Sequence, residues 1–352
     1  MDRDAYYQSH EKLPFIGAAG QARLQQAKIL VVGAGGLGCP CLKYLAGSGF
    51  GIIGIIDADT VAVSNLHRQI LYDAADTGRP KAMVAAEKLK AYNPFITVQP
   101  YPVLVEEANV LSLVKEYDLV IDCTDNFEVR YLLNDACVAL DKPLVYGAIH
   151  REEGHLTVFN YRQSATLRCL FPESGENDSI QSCADIGAYN ITTGIIGLLM
   201  ANEAIKIATE QEGVLAGKLY YFDALSGRSR QISYRPVGGS REKSIVRFEQ
   251  SSPAVEITAD ALRQIIAAGQ SFMLVDVREA EERLVFNIGG KHIPLQQFLR
   301  ESFSAIDPDD TIIIYCERGG RSLQSARYLR AKGFAHAYSL RGGMQSWRQP
   351  SS

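Results

Sequence analysis

Lys28-Ile-Leu-Val-Val-Gly33-Ala-Gly-Gly-Leu-Gly38 is the stretch that decides the fold. Its first part is a continuous apolar run, the pattern of a strand buried on both faces of a parallel sheet. Gly33, Gly35, Gly36 and Gly38 come next, and a helical pattern from Cys39 to Gly47 succeeds them. Glycines so placed let backbone amides face an anion at a helix N-terminus, where the macrodipole favours negative charge. A turn that needs glycine only for packing is the plainer alternative. Gly51-Ile-Ile-Gly-Ile-Ile-Asp57 makes a second strand and completes a βαβ unit. The expected class is α/β, with a nucleotide site at the carboxyl ends of the strands.

Working outward, Asp57-Ala-Asp-Thr-Val-Ala-Val-Ser-Asn-Leu-His-Arg-Gln69 begins 19 residues after Gly38. Glycine loop and acid alone suggest a dinucleotide site, with Asp57 on the ribose hydroxyls or merely capping a loop. The residues beyond the acid change that expectation. Asn65, Arg68 and Gln69 crowd just past the predicted strand, and Lys81 lies a little further on. A nicotinamide site has no evident use for such a cluster. An enzyme that neutralises a triphosphate and expels pyrophosphate does. Arg68 and Lys81 would lie over phosphates unless they are ordinary surface charges. Asp125, just past the strand Tyr117–Asp122, sits where Mg²⁺ could be held against those phosphates. An Asx turn is the other use for it.

The chain has 352 residues, beyond the usual single-domain size, so two domains are expected. A net charge of −4 gives no whole-molecule attraction to nucleic acid or anionic membrane. The start lacks the apolar core of a signal peptide, and apolar stretches such as 194–201 are too short to span a bilayer. Seven cysteines in no framework suggest free thiols in a reducing cytosol. Helices are expected over 81–92 and 192–209, and strands at 98–103, 142–147, 155–160 and 218–223. A polar loop is expected between Phe171 and Gly187. The expected division is a first domain over 1–235, a Pro, Gly, Ser and charge-rich linker over 236–254, and a smaller α/β domain over 255–352.

The first 235 residues resemble the bacterial activators of ubiquitin-like sulfur carriers, the molybdopterin-synthase adenylyltransferases (MoeB) and the thiazole-pathway ThiF. The matching motifs are Gly-Ala-Gly-Gly-Leu-Gly at 33–38, Asp-Ala-Asp at 57–59 and Ser-Asn-Leu-His-Arg-Gln at 64–69. Gly-Arg-Pro-Lys at 78–81, Cys-Thr-Asp-Asn-Phe at 123–127 with Arg130, and Cys-Leu-Phe-Pro at 169–172 extend the match. The resemblance implies a Rossmann-like ATP-binding domain of the ubiquitin-activating type, in a cytoplasmic homodimer. There a carrier's C-terminal Gly-Gly carboxylate attacks the ATP α-phosphate, giving an acyl-adenylate and pyrophosphate. It implies ATP contacts from Gly33, Gly35, Gly36, Gly38, Asp57, Asp59, Asn65, Arg68, Gln69, Lys81, Asp125 and Asn126. Catalytic roles fall to Arg68, Lys81 and Asp125, the last holding Mg²⁺. Cys183 matches a crossover-loop cysteine that in some members bonds covalently to the carrier or its sulfur.

Two departures stand out. Most members hold zinc with two Cys-x-x-Cys pairs. Here the first survives as Thr166-Leu-Arg-Cys169, and the second is missing from Arg235-Pro-Val-Gly-Gly-Ser-Arg241. One cysteine cannot make a tetrahedral thiolate site, so no structural zinc is expected. Near the N-terminus, Ser9 stands where the family has an arginine that reaches the neighbouring subunit's ATP. Arg3, Lys12 and Arg23 are possible substitutes.

In the second domain, Phe272–Val277 and Thr311–Tyr315 look like short buried strands. Cys316-Glu-Arg-Gly-Gly-Arg-Ser322 comes after the second strand and heads the helical pattern 323–332. Amides of 317–322 can converge on the sulfur, and a helix N-terminus with Arg318 and Arg321 nearby would favour a thiolate or persulfide. This loop, with Leu274-Val-Asp-Val-Arg278, His292-Ile-Pro294 and the ending Gly342-Gly-Met-Gln-Ser-Trp347, resembles single-domain rhodaneses. The resemblance implies a persulfide on Cys316, held by the loop Cys316, Arg318, Gly319, Arg321, Ser322 and loaded from a sulfur donor such as a cysteine desulfurase. A phosphatase with a related loop is the chemical competitor, and the short loop favours sulfur. Together the two resemblances imply adenylation and thiolation of one carrier. Activation in the thiazole pathway and a non-adenylating scaffold with only rhodanese chemistry are the alternatives; an NAD-dependent enzyme is disfavoured.

Overall fold

A computed structural model describes residues 2–172, 187–250, 255–299, 303, 307, 310–334 and 336–348. The chain divides into two units, Met1–Phe248 and Glu249–Ser352. The first contains eight strands: β1 Lys28–Val32, β2 Ile52–Ile56, β3 Thr97–Tyr101, β4 Leu119–Asp122, β5 Leu144–His150, β6 Glu153–Phe159, β7 Lys218–Asp223 and β8 Ser229–Ser233. They form one sheet in the order β3-β2-β1-β4-β5-β6-β7-β8. The first five positions pair in parallel, and the last three join antiparallel.

The apolar runs explain the parallel half. Ile29, Leu30, Val31, Ile53 and Ile55 are completely buried, as are Val120 and Ile121 of β4. Each such side chain contributes about 1.5–3 kcal/mol on leaving water. The strands are therefore the fixed part of the unit, and the loops at their carboxyl ends can carry chemistry. The helices Gly38–Ser48, Lys81–Tyr92 and Asn190–Ala208 cover one face. On the other face the helix Phe127–Ala139 packs with Val110–Lys115. The helix Asn190–Ala208 is long and apolar enough in composition to cross a membrane, contrary to the expectation from shorter runs. Its residues Ile196, Gly197, Met200, Ala201 and Ala204 are buried in the core of this unit, which accounts for their apolarity without a bilayer.

β1 pairs with β2 on one side and β4 on the other, so the loops after β1 and β4 diverge. That crevice is where open α/β sheets bind ligands. The boundary between the units falls inside 236–254, the stretch expected to link the two domains. Residues 236–254, expected as a linker, carry the helix Ser240–Gln250, and the units separate at Phe248. This helix docks through Ser244, fully buried, whose Oγ accepts from Asn134 Nδ2 at 3.2 Å. A polar seam of that kind leaves no apolar period to read.

The second unit is a five-stranded parallel sheet in the order β11-β10-β12-β13-β9. Its strands are β9 Glu256–Ile257, β10 Met273–Asp276, β11 Lys291–His292, β12 Ile312–Tyr315 and β13 Ala337–Leu340. Cys316 follows the central strand β12 directly and precedes the helix Gly320–Ala331.

Candidate functional site

The crevice of the first unit is a cleft of about 660 Å³. Its floor is the turn after β1. Gly33 has φ +93°, and a Cβ there would sit 2.8 Å from the Cys123 carbonyl oxygen. A Cβ on Gly38 would lie 2.0 Å from the Gly33 oxygen, so no other residue fits either place. Gly33, Gly35 and Gly36 line the cleft, whereas Gly38 is set back in the first turn of its helix.

The acid at the end of β2 is held by backbone. Asp57 accepts from Ala34 N at 2.7 Å and from Asp59 N at 2.9 Å. Burial pushes its carboxyl above the usual range, with Lys81 opposing. Lys81 is buried and donates to Asp59 Oδ2 at 2.8 Å, while Asp59 itself is largely exposed. The helical turn Val63–Asn65 brings Asn65 under Arg68, whose Nη2 donates to Asn65 Oδ1 at 2.8 Å. Gln69 is 4% exposed, and its Oε1 is buried in the cleft wall without a hydrogen-bond partner among the described residues. An unmatched buried acceptor of this kind suits a ligand that brings a donor.

Across the crevice, Asp125 is exposed, and its carboxylate accepts no hydrogen bond among the described residues. It is available to a cation. Asn126 caps the helix Phe127–Ala139 instead, its Oδ1 accepting from Glu128 N at 2.8 Å and Val129 N at 3.4 Å. The structure thus gathers Gly33, Gly35, Gly36, Asp57, Asp59, Asn65, Arg68, Gln69, Lys81, Asp125 and Asn126 around one cleft. Sequence reasoning left out His150, His155, Tyr146 and Phe171, which line its far end, and Val103–Val105, which line it beyond β3. Phe171 lies within the motif 169–172, which assigned it no role, and the others lie on strands or loops whose apolar or unpatterned sequence gives no motif. Cys183 lies outside the described residues. Of the possible substitutes for the missing arginine, Arg3 donates to Gln25 and Arg23 pairs with Glu210 at 3.2 Å.

Of the zinc ligands that the family resemblance implies, this chain keeps Cys169. Cys169 Sγ accepts from Thr166 N at 3.4 Å and from Val237 N at 3.3 Å, and lies 3.5 Å from Thr166 Oγ1. The two family segments therefore still meet, through hydrogen bonds to one sulfur. Partial burial pushes the Cys169 thiol up, but bonds from Thr166, Ser240 and the Val237 amide outweigh it and leave the thiol below its usual range. Among the described residues no group of three or more His, Cys, Asp or Glu could hold a metal. A tetrahedral zinc site needs four such donors. The purified protein is expected to carry no stoichiometric zinc and to keep its melting temperature in chelator. Elemental analysis finding about one zinc per chain would show that other residues supply the site.

In the second unit, Cys316 is buried, and its sulfur accepts from Gly319 N at 3.2 Å and Ser322 N at 3.4 Å. Ser322 Oγ lies 3.4 Å away. The loop is closed from behind by the Gly342–Trp347 ending, whose Met344 N donates to Cys316 O at 2.8 Å. A Cβ on Gly343 would lie 2.2 Å from that oxygen, which explains the glycine there. The two loop arginines differ from expectation. Arg318 is exposed, but Arg321 grips Glu282 with two bonds of 2.7 and 2.5 Å. Its charge is therefore shared between that carboxylate and the sulfur.

These ion pairs make the second unit acid-sensitive. Arg321 holds the Glu282 carboxyl down to about 2. Burial pushes the Asp276 carboxyl up, but bonds from Arg278 more than offset it and leave it lowered. Both groups bind protons more tightly unfolded than folded. Their stabilisation is thus present above the ordinary carboxylate range and is lost as pH falls from there towards 2. The single tryptophan, Trp347, reports this unit alone. Its fluorescence should show acid unfolding, and Arg321→Met should move the midpoint to higher pH. An unmoved midpoint would mean the Glu282 pair contributes nothing.

A model of the ThiF family matches residues 7–240, and one of the rhodanese-like domain matches residues 258–350. "Adenylyltransferase and sulfurtransferase MOCS3-2" of Zea mays is 36% identical, covering 97% of this chain and 78% of its own length. "Probable adenylyltransferase/sulfurtransferase MoeZ" of Mycobacterium tuberculosis is also 36% identical, over 97% of this chain and 92% of its own. "Sulfur carrier protein adenylyltransferase" of Thermus thermophilus is 43% identical over 67% of this chain and 92% of its own. Among solved structures, E. coli MccB with ATP shares the fold of 67% of this chain and 73% of its own, with a TM-score of 0.59 at 21% identity. The chain therefore belongs to the ThiF family and is an adenylyltransferase joined to a C-terminal rhodanese-like sulfurtransferase domain.

Proposed function

We propose that the first unit binds ATP and Mg²⁺ and adenylates the C-terminal Gly-Gly carboxylate of a ubiquitin-like sulfur carrier, which the second unit then supplies with sulfur. The observation that carries this reading is one cleft holding a glycine-lined helix terminus, Arg68, Asn65 and Lys81 on one wall and the exposed Asp125 on the other. In this reading Asp57 takes the ribose hydroxyls. Arg68, Asn65 and Lys81 take negative charge on the phosphates, the electrostatic stabilisation that such a transfer needs. Asp125 would hold Mg²⁺, which supplies further charge neutralisation. The carrier carboxylate oxygen bonds to the α-phosphorus as the bond to the β-phosphate oxygen breaks, releasing pyrophosphate. The terminal sulfur of a Cys316 persulfide then attacks the acyl carbon and AMP leaves. A thiol reductant cleaves the resulting acyl disulfide to the carrier thiocarboxylate.

The relatives named for adenylyltransferase and sulfurtransferase activity support the pairing of these two activities, and the names MOCS3 and MoeZ favour the molybdopterin pathway over the thiazole one. A homodimer in a reducing cytosol, fed by a cysteine desulfurase, belongs to the same proposal, and the free thiols Cys39, Cys41, Cys123, Cys137, Cys169 and Cys316 are consistent with it. The test is carrier-dependent ATP–pyrophosphate exchange with a small protein ending in Gly-Gly. Exchange only in its presence supports the reading. Sulfurtransfer without any exchange would leave a docking scaffold with rhodanese chemistry.

A further inference from the structure

The loop that presents Asp125 is short, exposed at its tip and tied down at both ends by buried charge. On the strand side, Asp122 ends β4 completely buried. Its Oδ1 accepts from Thr124 N at 2.9 Å and from Thr124 Oγ1 at 2.7 Å. Its Oδ2 faces Arg130 Nε at 3.9 Å. On the helix side, Arg130 lies in the first turn of Phe127–Ala139 and is only 4% exposed. Its Nη1 donates to Tyr146 Oη at 2.7 Å, and its Nη2 donates to Gly147 O at 3.3 Å and to Thr124 O. The guanidinium is also stacked against the rings of Phe127 and Tyr146, 5.3 and 4.8 Å from their centroids.

One guanidinium thus joins three elements: the end of β4, the start of the helix and the middle of β5. A planar fork with several fixed donors can do this; a lysine ammonium cannot reach the same set. Burying such a pair gives little net stability against an apolar substitute. Its presence here calls for a use beyond holding the fold, and the residue between its two anchors is the exposed acid of the cleft.

We infer that Asp122 and Arg130 are positioning residues that fix the loop Cys123–Asn126 so that Asp125 meets its cation in one geometry. This rests on the reading of Asp125 as the Mg²⁺-holding acid. The brace also screens that acid. Asp122 and Asp125 are two nearby carboxylates, and Arg130 is the countercharge between strand and helix. Partners that orient a metal-binding carboxylate typically matter by about 10–100-fold in metal affinity or activity.

The test uses the full chain with Mn²⁺ as a spectroscopic stand-in for Mg²⁺ and a non-hydrolysable ATP analogue. Electron paramagnetic resonance titration reads nucleotide-dependent Mn²⁺ binding without any carrier. Arg130→Gln should weaken that binding by about 10–100-fold. In exchange it should lower kcat by a similar factor, leave the carrier KM nearly unchanged and respond to added Mg²⁺. Tyr146→Phe removes a single arm and should give a smaller loss in the same direction, while Arg130→Lys should restore only part. Melting temperatures identify any variant that has lost its fold, and Tyr146→Phe then decides. Wild-type Mn²⁺ affinity and kcat in folded Arg130→Gln and Tyr146→Phe would overturn the brace. If the wild-type protein shows no exchange, the adenylation reading falls, and the Mn²⁺ arm still decides this proposal.

Discussion

Asp125→Ala should abolish carrier-dependent ATP–pyrophosphate exchange, with a loss on the order of 10³-fold. The size follows from position. Asp125 projects into the cleft opposite Arg68 and Lys81, and its carboxylate is engaged in no hydrogen bond among the described residues. Removing it should therefore leave the fold intact, unlike removal of Asp122, which is buried and bonded to Thr124. The neighbouring cations cannot compensate. Lys81 is held by Asp59, and Arg68 by Asn65; each can neutralise an anion but none can hold a metal. Asp125→Asn should fall nearly as far, because the lost charge matters more than the lost shape. The measurement is isotope exchange at saturating ATP and Mg²⁺, alongside a melting curve. Exchange at the wild-type rate in a folded Asp125→Ala protein would remove the metal role from this residue.

Much of this site was legible in the sequence because its parts are local. The glycine turn, the acid after β2 and the acid after β4 each follow an apolar strand at short range, and parallel-sheet topology brings strand ends together without further information. β1 lies between β2 and β4, so three loops far apart in the chain converge. The sequence was silent where contacts are long-range and polar. Arg130 could be placed in a motif, but nothing in the sequence joins it to Tyr146, 16 residues on. Likewise β8, wholly exposed, and the helix Ser240–Gln250, seated through Ser244, have no apolar period. In the second unit, the Cys316 loop was evident, but not that Arg321 turns to Glu282, 39 residues away. Charge counts along a sequence show which cations are near a thiol, not which acids share them.

Cys316→Ala should remove thiosulfate:cyanide sulfurtransfer, with a loss of at least about 10³-fold, and stop formation of the carrier thiocarboxylate, while exchange continues at the wild-type rate. Cys316 is the one cysteine of the second unit, and Gly319 N, Ser322 N and Ser322 Oγ all converge on its sulfur. Alanine fits the same buried place without strain, so the loop should persist as an empty cradle. The residues proposed for adenylation all belong to the other unit. In that proposal they act on a carboxylate and a phosphate, neither of which needs a thiol. Cys183→Ala should likewise spare exchange and slow only steps after adenylation, if those steps use it. The two activities should therefore separate cleanly: the Cys316→Ala protein accumulates carrier acyl-adenylate, and the Asp125→Ala protein keeps sulfurtransfer. Mass spectrometry of the carrier after incubation with ATP and thiosulfate distinguishes the acyl-adenylate from the thiocarboxylate. Loss of exchange in a well-folded Cys316→Ala protein would mean that the units share one catalytic centre, and the division of labour drawn from the two loops would be wrong.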